Sequence, residues 1–359
     1  MGYRYIGSKA RIADDILRYL GPPKTTDGCF IDAFSGTGVV ASKAADLGWQ
    51  IKINDMMHNA VVMSEARLVS RADVPFSSLG GYAEALEDLR QTERKGFIWR
   101  EYSPASLQEI GIERKYFTEG NAKQIDGAVE KIHDWRKKGT INAKEFALLI
   151  STLIFAANNV ANIAGTYGCF LSKWQPQALG TLNLVPLEVR EDRVKYNVTT
   201  DDVFAVTSKP EDVVYLDPPY TKRQYASYYH ILETITLGDE PIVEGVAGLR
   251  PWKEKASVFC YKLKALRALV NLASSQEAHR VLISYSNDGH IQLDHLVEEL
   301  EKTGTVDVLE LGSIGRYRPN VIASSHKQAV REYLIDYRHD RGTEREQTVD
   351  AGAVASQQS

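Results

Sequence analysis

The sequence predicts an α/β fold, a mostly parallel sheet covered by helices and interrupted by a mainly helical insertion. Three observations predict it. Two short apolar runs, Cys29-Phe30-Ile31 and Val213-Val214-Tyr215-Leu216, read as strands buried on both faces. Strand, glycine turn, helix and strand follow one another from Cys29 to Asn54, which is the pattern of a parallel crossover unit. From about Val74 to Val198 that rhythm gives way to helical periodicity. Each apolar run ends in a polar turn, Asp32-Ala33-Phe34-Ser35-Gly36-Thr37-Gly38 after the first and Asp217-Pro218-Pro219-Tyr220 after the second. Ligands of open α/β sheets bind beyond the carboxyl ends of the strands, so these two distant turns are expected to face one cleft.

The elements follow in order. Ile12, Ile16, Leu17 and Leu20 recur at helical spacing over Ser8–Leu20, and Gly21-Pro22-Pro23 stops the pattern. A strand at Cys29–Asp32, a helix at Val39–Leu47 with small residues at Ala41, Ala44 and Ala45, and a strand at Gln50–Asn54 complete the first unit. Within the insertion the spacing predicts helices over Tyr82–Glu93, Ala122–Lys138 and Ala143–Asn159. The apolar stretch Phe146–Ala157 is too short to span a bilayer and reads as a buried helix. After Asp217 come helices at Tyr225–Leu237 and Ser257–Ser275, a strand at Arg280–Ser286, a helix at Ile291–Thr303 and strands at Val306–Gly312 and Glu332–Tyr337. Residues 341–359 are polar and aperiodic and read as a disordered tail. The division expected is 1–73 with 199–340 as one domain and 74–198 as the insert.

Bulk properties narrow the classes. At 359 residues, with 43% hydrophobic and 25% charged residues, the chain has the composition of an ordinary soluble protein with a large core. Its start, Met1-Gly2-Tyr3-Arg4-Tyr5, lacks the basic and apolar segments of a signal peptide, which predicts a cytoplasmic protein without a membrane partner. Three scattered cysteines fit a reducing compartment and have no zinc-ligand spacing, so no metal is expected. A formal charge of −4 gives no global attraction to nucleic acid. Local clusters would have to supply it: Lys222-Arg223, Arg250 with Lys253 and Lys255, Lys262 with Lys264 and Arg267, or Arg316 with Arg318. Solvated basic side chains explain any one of them equally well. In the insert, Asn162–Trp174 mixes aromatics with Lys173, which suits either a nucleic-acid surface or a packing loop.

The glycine turn places Gly36 and Gly38 where the backbone turns tightly and approaches a ligand. Turns of this kind also serve nucleotides, phosphates and plain packing. Asp55, at the end of the second strand, can accept hydrogen bonds from ribose hydroxyls. No lysine follows the glycines and Gly-x-Gly-x-x-Gly is incomplete, so the turn suits a ligand with an adenosine and no phosphate, such as S-adenosylmethionine. Lys9, in Arg4-Tyr5-Ile6-Gly7-Ser8-Lys9, is a candidate for that ligand's carboxylate, assisted by backbone donors near Ser8; a capped helix with an exposed lysine is the plain alternative.

At the second turn, Pro218 and Pro219 remove backbone donors and stiffen the chain, so that Asp217 and a main-chain carbonyl present acceptors. A planar exocyclic amine has two N–H donors to match them, and Tyr220 offers a ring for stacking on the base that carries the amine. Such a base must first leave the duplex. No cysteine lies near this turn, which argues against attack through a thiolate.

These residues resemble the adenine-N6 DNA methyltransferases of the Dam-like class in the α arrangement. Tyr5-Ile6-Gly7-Ser8-Lys9 is similar to that class's amino-terminal motif, Asp32–Gly38 to its donor motif and Asp217–Tyr220 to its catalytic motif. Arg223-Gln224-Tyr225 and Tyr229-His230-Ile231-Leu232-Glu233-Thr234 resemble its restriction-modification members. The resemblance implies a Rossmann-like, S-adenosylmethionine-dependent methyltransferase sheet with residues 74–198 as the target-recognition region. It implies Tyr5, Lys9, Asp32, Phe34, Ser35, Gly36, Gly38, Asp55, Asp201 and Asp202 around the donor. Asp217, Pro218, Pro219 and Tyr220 would be catalytic, and Tyr220, Arg223, Tyr285, Ser286 and Lys173 would hold substrate. Double-stranded DNA is the implied partner, with a cognate restriction endonuclease as a possible second, in a bacterial or phage setting near the nucleoid. The alternatives are N4-cytosine methylation, an RNA target, or a non-catalytic module that binds donor or DNA.

Overall fold

The computed structural model describes Gly7, residues 9–314 and residues 330–339. Tyr5 and Ser8 of the amino-terminal motif, Arg316, Arg318 and the tail from 341 lie outside the described residues. Among those described, seven strands form one sheet in the order β3-β2-β1-β4-β5-β7-β6. They are β1 (Cys29–Asp32), β2 (Gln50–Asn54), β3 (Tyr196–Thr199), β4 (Val213–Leu216), β5 (Arg280–Ser286), β6 (Gly304–Ile314) and β7 (Val330–His339). The first five are parallel, and β7 runs antiparallel to both β5 and β6. This is the mixed α/β, Rossmann-like sheet the sequence predicts.

Alternation along the strands explains how both faces are covered. Phe30, Ile51, Ile53, Val213, Tyr215, Leu282 and Leu334 point to one face, where α1 (Ala13–Leu20) and α2 (Val39–Asp46) bury Ile16, Leu17, Ala41 and Ala44 against them. Their neighbours Ile31, Val214, Leu216, Val281, Ile283 and Ile335 point to the other face.

The remaining helices are α3 (His58–Glu65), α4 (Tyr82–Arg90), α5 (Phe97–Tyr102), α6 (Ser106–Ile110), α7 (Glu119–Lys137), α8 (Ala143–Asn159), α9 (Tyr225–Tyr228), α10 (His230–Leu237), α11 (Lys262–Ser275) and α12 (Leu293–Leu300). The second face of the sheet is closed by α11 and α12. A third apolar cluster joins α4, α5, α7 and α8 of the inserted stretch to α3 and α10. Helix α8 lies inside it with Leu148, Leu149, Ile150, Leu153 and Ile154 fully buried, which accounts for its nearly unbroken apolar sequence. Among the described residues no helix is long and apolar enough to cross a membrane.

Three features depart from the expected elements. The single helix expected over Tyr225–Leu237 is two, α9 and α10, broken at Tyr229. The helix expected from Ser257 begins at Lys262, after a short 3-10 turn at Val258–Cys260. Helix α3 carried no periodic signal, because Asn59 to Ser64 are all buried and leave no polar face to mark it.

The start of α8 is held by a capping box. The Asn142 side chain accepts from the N–H groups of Lys144 and Glu145, and the Glu145 carboxylate accepts from the N–H of Asn142 at 2.8 Å. Replacing Asn142 with Ala should cost about 1 kcal/mol, the usual value of such a cap. Thermal unfolding of the variant checks this, and an unchanged midpoint would mean the cap is idle.

Candidate active site

Strands β1, β2 and β4 end at one level, since Asp32 is in register with Ile53 on one side and Tyr215 on the other. Strand β1 is where the sheet order reverses, so the chain leaves β1 and β4 in opposite directions and a crevice opens between them. Asn54 ties this edge together. Its amide donates to the carbonyls of Ala33 and Asp201, at 3.3 and 3.1 Å, and accepts from the N–H of Asp201 and the hydroxyl of Thr199.

Gly36 and Gly38 both take positive φ, 51° and 72°, so the loop after β1 reverses over two residues. A Cβ on Gly38 would sit 2.5 Å from the Cα of Ser64, so α3 can pack this closely only against glycine. Asp55 accepts from the N–H of Gly36 and of Met57, each at 3.0 Å, and so clamps the glycine turn to the start of α3.

A cavity of about 200 Å³ fills the crevice. Lys9, Asp32, Phe34, Ser35, Gly36, Asp55, Asp201 and Asp202 line it, and so do Asp217 and Pro219 from the second turn. Gly38, in the same loop, is not among the lining residues. Asp32 is buried, its Oδ1 has no hydrogen-bond partner, and the Ser35 hydroxyl is likewise unpaired. Burial, reinforced by the nearby Asp217 and Asp55, pushes the Asp32 carboxyl up to about 8. A cation entering the cavity would relieve that cost. The lining therefore fits a positively charged ligand.

Several residues of this wall carry no distinguishing signal in the sequence. Phe204 stacks on Phe259 at 5.9 Å and 15°, Phe34 meets Phe259 edge-on at 5.4 Å, and Met57 and Tyr225 add further apolar surface. Phe204 lies two residues beyond Asp202, close enough for the signal at the acids to have reached it. Phe259 sits in a stretch read as helix, where nothing distinguishes it.

Beside the second turn Lys9 is only 5% exposed and holds a cluster together. Its ammonium lies 3.2 Å from Asp217 and 3.1 Å from Glu332 of β7, and donates to the Tyr220 hydroxyl at 2.9 Å. That hydroxyl donates to Glu332 at 3.4 Å. Burial lowers the Lys9 pKa, but Asp217, Tyr220 and Glu332 outweigh it and leave the ammonium well above the usual lysine range. Burial raises the Asp217 carboxyl to about 6, with Lys9 opposing and Glu332 assisting. Lys9, expected at a ligand carboxylate, is thus engaged with protein carboxylates. The sequence marks Glu332 only as the start of a strand. Its signal is that alternation along Glu332, Leu334 and Asp336 puts two acids on a buried face.

The other expected substrate residues are spread out. Tyr285 is buried behind Tyr220, with ring centroids 5.5 Å apart, and its hydroxyl accepts from the N–H of Ile291. The Ser286 hydroxyl donates to Asp288. Arg223 is exposed, and its carbonyl accepts from the Cys260 thiol at 3.3 Å. Lys173 is exposed on the insert, away from the cavity lining, while Tyr167 of the same loop is buried and packs against Tyr116.

Glu233 holds the start of α3 from behind the cavity wall. It is 1% exposed and accepts from the N–H of His58 and of Asn59, from the His58 ring and from Lys255 at 2.7 Å. Burial alone would raise its carboxyl, but the His58 ring and the Lys255 ammonium bring it down to about 2.

A model of the D12 class N6 adenine-specific DNA methyltransferases matches residues 5–298. The chain is 33% identical over 337 residues to the type II methyltransferase M.FokI of Planomicrobium okeanokoites, covering 92% of this chain and 51% of that protein. It is 30% identical over 312 residues to M.NlaIII of Neisseria lactamica, covering 85% and 90%. To M.CviAII of Paramecium bursaria Chlorella virus 1 it is 30% identical over 338 residues, covering 92% and 97%. The chain thus spans about half the length of M.FokI and nearly the whole of the other two.

Replacing Glu233 with Gln should lower stability by about 2 kcal/mol, since a charge-assisted network loses its anion while Lys255 keeps partial access to water. Chemical denaturation of wild type and variant measures this. Equal midpoints would mean that the hydrogen bonds alone hold α3.

Proposed function

Because the chain belongs to the D12 class of N6 adenine-specific DNA methyltransferases, we propose that it transfers a methyl group from S-adenosylmethionine to the N6 of an adenine flipped out of duplex DNA at a specific site. One observation carries this reading: Asp32 and Asp55, from the first turn and second strand, line the same cavity as Asp217 from the acceptor turn.

Bound S-adenosylmethionine supplies an electrophilic methyl group on a sulfonium. Asp32 would hold its ammonium, Asp55 the ribose hydroxyls, and Asp201, Asp202 and Phe204 the adenine. Asp217 as carboxylate, together with a carbonyl of the Pro218-Pro219 turn, accepts the two N–H donors of the target amine and so fixes the direction of its lone pair. Neither proline has an N–H to compete. Tyr220 offers its ring to the extruded base, and the buried setting keeps water from the amine. No covalent nucleophile is needed.

The same reading assigns target recognition to residues 74–198 and catalysis to residues 1–73 with 199–340. Arg223, Lys173 and the exposed lysines Lys262 and Lys264 are available to phosphates. Tyr285 and Ser286 support the Tyr220 wall of the base pocket from behind. A cognate restriction endonuclease is the expected partner, and the nucleoid of a bacterium or phage-infected cell the expected place of action.

Purified protein, labelled donor and duplex DNA should yield N6-methyladenine on nucleoside analysis; N4-methylcytosine in its place would overturn the assignment. Asp217→Ala should reduce turnover by at least about 100-fold, since it removes the acceptor that orients the amine. Because Asp217 must be ionised and its carboxyl is held up at about 6, turnover should decline as pH falls through about 6 and level off above it. A flat profile from pH 5 to 8 would remove Asp217 from that role.

A further inference from the structure

We propose that Glu332 is a positioning residue for the methyl transfer, a second counter-ion onto which Lys9 shifts so that Asp217 is released to the incoming amine. The inference rests on the function proposed above and extends it to a residue outside both motifs.

Asp217 faces two candidate donors, the Lys9 ammonium at 3.2 Å and, when a base is present, the N–H groups of its amine. A buried ammonium with a single carboxylate partner would not give it up, because an unpaired buried charge costs several kcal/mol. Lys9 has a second partner at almost the same distance, Glu332 at 3.1 Å, and a neutral acceptor in Tyr220 at 2.9 Å. A small displacement of the ammonium toward Glu332 keeps it paired and bonded while Asp217 opens toward the cavity. Glu332 is buried itself and accepts from the Tyr220 hydroxyl, so its carboxylate already occupies the receiving position. Its place is set by β7: Glu332, Leu334 and Asp336 share the face covered by α1, where the Tyr19 hydroxyl donates to Asp336 at 2.8 Å. Glu332 lies at the end of that face nearest Lys9.

The charged and titratable groups around Asp217 are Lys9 before α1, Glu332 on β7, Asp32 at the end of β1, Tyr215 on β4, Tyr220 in the turn and Tyr225 on α9. Of these, Glu332 is the one whose removal leaves Lys9 with Asp217 as its sole close carboxylate. Loss of its negative charge also favours the ionised form of Asp217.

The test is Glu332→Gln, with Glu332→Asp as the conservative variant, both in the full chain. In Glu332→Gln, kcat should fall on the order of tenfold while KM for donor and for DNA changes little, as expected when an interaction needed only for the chemical step is lost. The acid limb of its kcat profile should move to lower pH, and Glu332→Asp should recover part of the rate. A kcat within twofold of wild type, or a reduced kcat with an unmoved acid limb, would overturn the proposal. A second readout needs no turnover: carbon-13 titration of labelled aspartate, assigned with Asp217→Asn, should give Asp217 a lower midpoint in Glu332→Gln than in wild type. An unchanged midpoint would also overturn it. If the wild-type protein gave no N6-methyladenine, the functional reading would fail by itself, and the Asp217 midpoint would still decide whether Glu332 acts on that carboxylate.

Discussion

One buried ammonium joins the parts of the chain that must meet for this site to exist. Lys9 precedes the first helix, Asp217 and Tyr220 follow the fourth strand, and Glu332 belongs to the last. Hydrophobic packing brings these segments near one another but does not set their angles, because apolar contact has no direction. An ammonium between two carboxylates and a phenol does set them. Burying it is tolerable only while a carboxylate stays paired with it, so the Asp217–Tyr220 turn is ordered by the same contacts that determine its charge. The Pro218-Pro219 turn is stiff by covalent geometry, and Lys9 determines where that stiffness is aimed.

The half of the cavity around Asp32 and Asp55 follows a different logic. Its walls come from backbone reversal at Gly36 and Gly38, from the Asn54 amide that links three strand ends, and from aromatic rings on two later loops. It leaves Asp32 buried with an oxygen lacking a partner, which costs stability in the folded protein. The two halves are thus complementary: one is internally paired, and the other is short of a positive charge.

Much of this was legible in the sequence because it is local. The observed limits of β1, β2 and α8 coincide with those expected, each bounded by turn chemistry or a capping box at its start. The convergence of Asp32 and Asp217 followed from strand direction alone. What escaped had no local signature. Helix α3 is buried all round and shows no period; the break at Tyr229 interrupts an apolar run that reads as continuous. The partners of Lys9 could not be read either, since Glu332 lies 323 residues further along the chain. Only the sheet order brings β7 beside β5 and turns its buried acids toward the first helix.

The apolar cluster around α8 draws on both the inserted stretch and the sheet-borne helices: Val62 and Met63 of α3 and Ile231, Leu232 and Ile235 of α10 share it with Leu86, Ile125 and Leu148. A segment with its own separate core could be exchanged between relatives as a cassette. Here a transplanted insert would have to repack the helix that begins beside Asp55, so the helical scaffold and the sheet-borne helices can change only together, while exposed loops can vary without disturbing that core.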